Sequence, residues 1–158
     1  MNELDRYDYA ILSALQGDGT LSIAQLSERV GLSTTPCWKR VRRLEEEGYI
    51  ESRVAIINRR RVGLPVTVFV SVRTTQHDEK WFAKFAAAVA ALPEVQEFHR
   101  MSGDVDYLLK VVTSDIEGYD RFYKKLIKSA QLSGVSSAFS MEQIKITTSL
   151  PLELVSHQ

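Results

Sequence analysis

The run from Gly31 to Gly48, "GLSTTPCWKRVRRLEEEG", leaves the chain few choices of local structure. Ser33 stands where a helix N-cap belongs, and nothing from Thr34 to Glu47 breaks a helix except Pro36. Its missing N–H falls in the first turn, where no intrahelical acceptor exists. The spacing therefore predicts a helix to about Glu47, closed by Gly48. Upstream, Ser22 with Gln25 three residues later has the pattern of a capping box, Leu26 and Val30 share an inward face, and Gly31 ends that short helix. Residues 5–15 place Ile11, Leu12 and Leu15 at helical spacing, with Tyr7 or Tyr9 extending the apolar side, before "QGDG" stops them. Two short helices and a longer one joined by Gly-containing turns form a helix-turn-helix pattern.

Beyond Gly48 the period changes. "YIESRVAII" and "VTVFVSV" read as strands separated by "NRRRVGLP", the first as a wing of the helical domain. Residues 78–91 read as a helix with Trp81, Phe82, Phe85 and Val89 inward, ended by Pro93. "VQEFHRM" and "VDYLLKVV" read as a hairpin around Gly103, Ile116 to Ser129 as a second helix, and "VSSAFSMEQIKITT" as an extended last strand. The fold class is α+β: a winged helix-turn-helix domain over 1–53, a linker over 54–64, and a ferredoxin-like βαββαβ domain over 65–158. Phe69 and alternate residues of 107–112 make the second sheet face apolar too, apart from Lys110, so that face calls for a partner, most simply a second copy of the chain.

On a helical projection Cys37, Val41 and Leu44 cluster within about 60°, which places the one cysteine in the packing stripe. Thr35, Lys39, Arg42 and Arg43 fall within about 100° on the other side, long enough to reach phosphates and base edges from a major groove. Thr34 and Thr35 stand near the helix N-terminus, whose free N–H groups favour an anionic backbone. Trp38 lies about 100° from the core side, where marginal packing and contact with DNA both stay open. The charge distribution agrees: residues 33–61 carry eight Lys and Arg against four Glu, although the chain's net charge is zero. Arg59, Arg60 and Arg61 are either a further phosphate contact or a solvated hinge.

Catalysis and resident metals find no support. His77, His99 and His157 are scattered, one cysteine supplies no zinc cluster, and no nucleophile stands with a base. Asp104 and Asp106 beside Gly103 fit a turn held by its own hydrogen bonds, or a rim for the charged ends of an amino acid. With neither a signal-peptide run nor 18 consecutive apolar residues, a cytoplasmic chain without a membrane partner is the expectation.

Four segments in this order, "LDRYDYAIL" at 4–12, "LSERVGLSTTPCWKRVRRLEEEGYI" at 26–50, "SGDVDYLLKV" at 102–111 and "MEQIKITTSLP" at 141–151, resemble the Lrp/AsnC, or feast/famine, family of transcriptional regulators. That resemblance implies double-stranded DNA as a partner, contacted through Thr34, Thr35, Trp38, Lys39, Arg42 and Arg43, and a homodimer that assembles into an octamer. It also implies a small amino-acid effector held by Gly103, Asp104 and Asp106, with Ala138, Phe139 and Ser140 as response positions on the last strand and Ile116 and Ile127 acting through packing. "LSTTPCWKRVRRLE", "YDRFYKKL" and "SSAFSMEQIKITTSLP" are similar to the cysteine-responsive branch, which makes L-cysteine the expected effector and cysteine metabolism the expected target. Leucine or another branched amino acid is the rival effector. A ferredoxin-like module controlling an enzyme through protein contacts is the rival from another class. Ala130-Gln131 stands where many relatives carry Pro-Gly, a departure that bears on the turn beside the ligand rim.

Overall fold

The computed structural model describes residues 4–155, which exclude His157. The chain forms two compact units, Met1–Ile56 with Lys145–Gln158, and Ile57–Ile144.

In the first unit, α1 (Arg6–Gly17) starts at Asp5, whose carboxylate accepts from the N–H groups of Tyr7 and Asp8, while the Asp8 side chain accepts from the Asp5 N–H. The same reciprocal cap between Ser22 and Gln25 starts α2 (Ile23–Val30), and Gly31 at φ 71° closes it in the left-handed conformation. Helix α3 (Thr34–Glu46) begins at Ser33 as its sequence requires, yet Ser33 makes no side-chain cap bond. The third helical position, which commonly donates to such a cap, is Pro36 and has no N–H to give. Ile11, Leu26, Cys37, Val41 and Leu44 form the core of this unit, flanked by Ala14 and Leu15 and covered by Tyr49 and Ile50.

The second unit follows the order β1 (Val66–Arg73), α4 (Glu79–Ala90), β2 (Val95–Arg100), β3 (Tyr107–Thr113), α5 (Ile116–Ser129), β4 (Gly134–Phe139). Its antiparallel sheet runs β2-β3-β1-β4, the ferredoxin-like arrangement expected from the element order. Val68, Val70 and Val72 of β1 and Tyr107, Leu109 and Val111 of β3 point to one side, where Phe85 and Val89 of α4 and Phe122 and Leu126 of α5 cover them. Asp78 and Asp115 cap the two helices through the N–H groups of Trp81 and Gly118.

Three expectations change. No strand forms over 49–57 among the described residues, and β4 stops at Phe139 although the extended reading ran on to about residue 148. Both segments alternate apolar residues, but neither meets another strand within the chain, and a strand without a ladder leaves its backbone groups to water. The third change concerns the last segment, assigned by sequence to the second domain. Residues from Lys145 onward group with the first unit. There the Gln16 side chain both donates to the Leu150 carbonyl, at 3.0 Å, and accepts from the Leu150 N–H, at 2.9 Å.

Cys37 is fully enclosed, and burial pushes its thiol pKa up. Native protein is therefore expected to resist thiol-specific reagents that label it once unfolded, and Cys37→Ser, which buries a hydroxyl among hydrocarbon, to lose about 1–3 kcal/mol in urea titrations.

Candidate nucleic-acid interface and effector surface

Rotation of α3 about its axis is set by its apolar stripe and by one carboxylate. With Cys37, Val41 and Leu44 inward, Thr34, Thr35, Trp38, Lys39 and Arg42 are all exposed, Trp38 to 50%. Thr35, Trp38, Lys39 and Arg42 share an arc of about 100° opposite the core. Trp38, which sequence left between margin and contact, belongs to this outer face. Arg42 reaches Glu46 at 3.1 Å, an exposed pair one turn apart that is easily exchanged for another anion.

Arg43 is placed differently from the other predicted contacts. Its guanidinium lies 2.7 Å from the carboxylate of Asp8 and 3.3 Å from that of Glu47. Arg40 completes the arrangement, 2.9 Å from Asp8 and 2.8 Å from Asp5, with Tyr7 beneath it. Asp8 is only 1% exposed. A buried carboxylate is costly unless its oxygens are matched, and here two guanidinium groups and the Asp5 N–H match them. Two of the basic side chains of α3 thus fasten α3 to α1. The sequence carried a signal for this: Asp8 stands in phase with Ile11 and Leu15, and a carboxylate on an apolar stripe demands a cation across from it.

At the tip of the β2–β3 hairpin, Gly103 takes φ 108°, a conformation that disfavours any side chain. Asp106 is engaged: its carboxylate accepts from the Thr74 N–H at 2.8 Å, its own N–H donates to the Val72 carbonyl at 3.0 Å, and its carbonyl accepts from the Met101 N–H at 2.8 Å. It ties the hairpin to the end of β1. Asp104 is exposed at the rim. Gln131, at the departure from the family pattern, accepts from Gln76 at 3.2 Å beside the same end of the sheet.

The remaining predicted residues lie elsewhere. Ala138 pairs with Phe69 and Phe139 with Val68, three and four residues along β1 from Val72, where Asp106 bonds. At about 3.3 Å per residue that is roughly 10 to 13 Å. One chain does not bring the two groups together. Nor do they share a face: Ala138 is on the open side with Phe69, while Phe139 turns to the helices and meets the Tyr119 ring edge-on at 5.0 Å. Tyr119 is further fixed by its hydroxyl bond to Ser137. Ser140 donates its N–H to the Thr67 carbonyl, and Ile116 and Ile127 are exposed along α5. The open face carries Phe69, Leu108, Val112 and Ala138 around the Lys110–Glu97 pair at 2.6 Å. That lysine, with His99 behind it, holds the Glu97 carboxyl below its usual range.

Among the described residues no group of side chains has the composition of a metal site, and no helix is long and apolar enough to cross a membrane. Residues 4–51 match the family model for a winged helix-turn-helix DNA-binding domain, and residues 67–150 that for the Lrp/AsnC ligand binding domain. The DNA-binding transcriptional activator DecR of Escherichia coli strain K12 is 48% identical over 151 residues, 95% of this chain and 99% of that one. Among solved structures, an AsnC family transcriptional regulator from Agrobacterium tumefaciens is 55% identical with a TM-score of 0.92, covering 95% of this chain and 98% of its own. A transcriptional regulator from Neisseria meningitidis, solved as a complex with L-Met, is 35% identical with a TM-score of 0.89, covering 94% and 97%.

Three substitutions separate support from contact. Asp8→Ala is expected to lower unfolding free energy by about 2–3 kcal/mol, the scale of hydrogen bonds to a charged group. Asp106→Ala, by unfastening Thr74, is expected to lose about 1–3 kcal/mol, whereas Asp104→Ala leaves the urea midpoint where it was.

Proposed function

The chain belongs to the Lrp/AsnC family and is a DNA-binding transcriptional regulator, not an enzyme, and from that premise we propose that it reads its operator with the outer face of α3 under the control of a small amino acid, L-cysteine first. The observation that carries the DNA reading is the division of α3: Arg40 and Arg43 are held by Asp8, while Thr34, Thr35, Trp38, Lys39 and Arg42 stand exposed together. Lys39 and Arg42 supply phosphate contacts. Thr34 and Thr35 approach the backbone at the helix start, Thr35 and Trp38 also meeting base edges in the major groove. Arg43 contributes by holding the helix at the angle that presents those groups.

The effector binds at the hairpin tip, where Gly103 lets backbone N–H groups approach an α-carboxylate and Asp104 faces the ammonium. The roughly 10 Å between this rim and Ala138 is closed by a second copy, so the site is completed on assembly. Dimers form through the open face around Phe69, Leu108 and Val112 and grow toward an octamer. Phe139 responds through Tyr119 rather than by direct contact, and Ser140 through the end of β1. L-Cysteine is preferred to leucine from the similarity of "LSTTPCWKRVRRLE" and "SSAFSMEQIKITTSLP" to the cysteine-responsive branch. Control of cysteine metabolism genes from the cytoplasm follows from that preference.

In anisotropy titrations on an operator selected by the wild-type chain, the double variant K39A/R42A should lose at least about tenfold in affinity, and T35A should relax discrimination by about 1 kcal/mol at one base pair. Adding L-cysteine, L-serine or L-leucine separates the effectors. A response to leucine with none to cysteine overturns the choice of cysteine.

A further inference from the structure

The phosphate-binding capacity of this chain is smaller on α3 than its sequence suggests, and the missing charge sits elsewhere. Residues 33–61 contain eight Lys and Arg. Arg40 and Arg43 are committed to Asp5, Asp8 and Glu47, and Arg53 pairs with Glu45, while Arg42 keeps only its exposed, exchangeable pair with Glu46. Arg59 donates to the carbonyls of Leu64 and Pro65. The side chains of Lys39, Arg60 and Arg61 are left without a partner among the described residues, and all three are exposed.

Arg60 and Arg61 do not lie on a structureless tether. The Asn58 side chain accepts from both of their N–H groups at 3.2 Å, and its carbonyl accepts again from Arg61 and Val62. Gly63 turns the chain at φ 83°, and the Leu64 N–H closes onto the Arg59 carbonyl at 2.8 Å. Arg59 clamps the far side of this turn. One arginine of three is spent on building it, and the other two are displayed next to each other, a repulsive arrangement that an adjacent anion relieves. Along the chain the turn begins two residues after Ile56, the last residue of the first unit's long segment.

We propose that the turn 58–64 is a second contact to the DNA backbone, outside the helix-turn-helix, in which Arg60 and Arg61 each bind a phosphate; this rests on the DNA-binding reading above. It carries no base recognition, because a folded turn displaying guanidinium groups to phosphates adds affinity for every sequence equally.

The test compares the full-length wild type with R60A/R61A and R60K/R61K. Each is titrated from about 50 to 200 mM salt on a duplex carrying the selected operator and on a scrambled duplex of the same length. Losing two phosphate contacts should lower the slope of log affinity against log salt by about 1.8 on both duplexes. The affinity lost across that salt range should then shrink by about twelvefold, with the ratio of operator to scrambled binding unchanged. R60K/R61K, which keeps the charges, should retain the wild-type slope. A wild-type slope in R60A/R61A overturns the proposal, as does a loss confined to the operator duplex, which would mean base readout. A wild type that binds neither duplex brings down the DNA reading itself, an outcome distinct from both.

Discussion

The buried carboxylate of Asp8 is the interaction on which the working surface depends. It sits on α1 in the apolar phase, and the cost of taking it out of water is offset only because Arg40 and Arg43 converge on it from α3. That convergence fixes more than stability. A helix can pack an apolar stripe of three residues with some freedom to roll, but two charge-assisted bonds to one enclosed carboxylate remove that freedom. The roll of α3 decides which side chains face outward, so a residue on another helix determines what this one presents to its partner. The arrangement also withdraws two positive charges from a surface whose attraction to DNA scales with the charges left on it.

In the second unit the constraint is the strand period. Alternate residues of β1 and β3 bury a continuous apolar layer under α4 and α5, and the intervening residues necessarily emerge on the opposite side. The hairpin tip and the end of β4 lie at different ends of this sheet, and Asp106 is spent on keeping the tip attached to β1. The tip is joined to the central strand through Asp106, by its N–H to the Val72 carbonyl and by its carboxylate from the Thr74 N–H. That strand is flanked by β3 on one side and β4 on the other.

Much of this was legible in the residues. The capping box of Ser22 and Gln25, the Gly-terminated α2 and the amphipathic α5 follow from spacing alone, and α5 spans Ile116–Ser129 as read. What escaped was whatever depends on a distant partner. The apolar alternation of Val54 and Ile56, or of Ile144 and Ile146, says that a segment is fit to pair without saying where its mate lies. Asp8 stands in phase with Ile11 and Leu15, but its two arginines more than thirty residues away were not identifiable from the helix projection, which grouped Arg43 with the outward face because that residue sits at the boundary. Phe139 is a different case. Ala138, Phe139 and Ser140 are consecutive in an extended run, so the strand period already forbade them a common face, and only the resemblance had placed them together.

The pairing of Gln16 with Leu150 makes the DNA-binding unit discontinuous in sequence, and this bears on how such regulators exchange parts. A recombination event that moved residues 1–56 alone into a relative would leave the Gln16 amide to meet a foreign tail, while the donor's own tail stayed behind on the other gene. Chimeras that trade reading heads should therefore work best when both crossovers are made, near 56 and again near 144, so that head and tail travel together. The same geometry couples the drift of Ser149 and Leu150 to that of the first helix, although more than a hundred positions separate them along the gene.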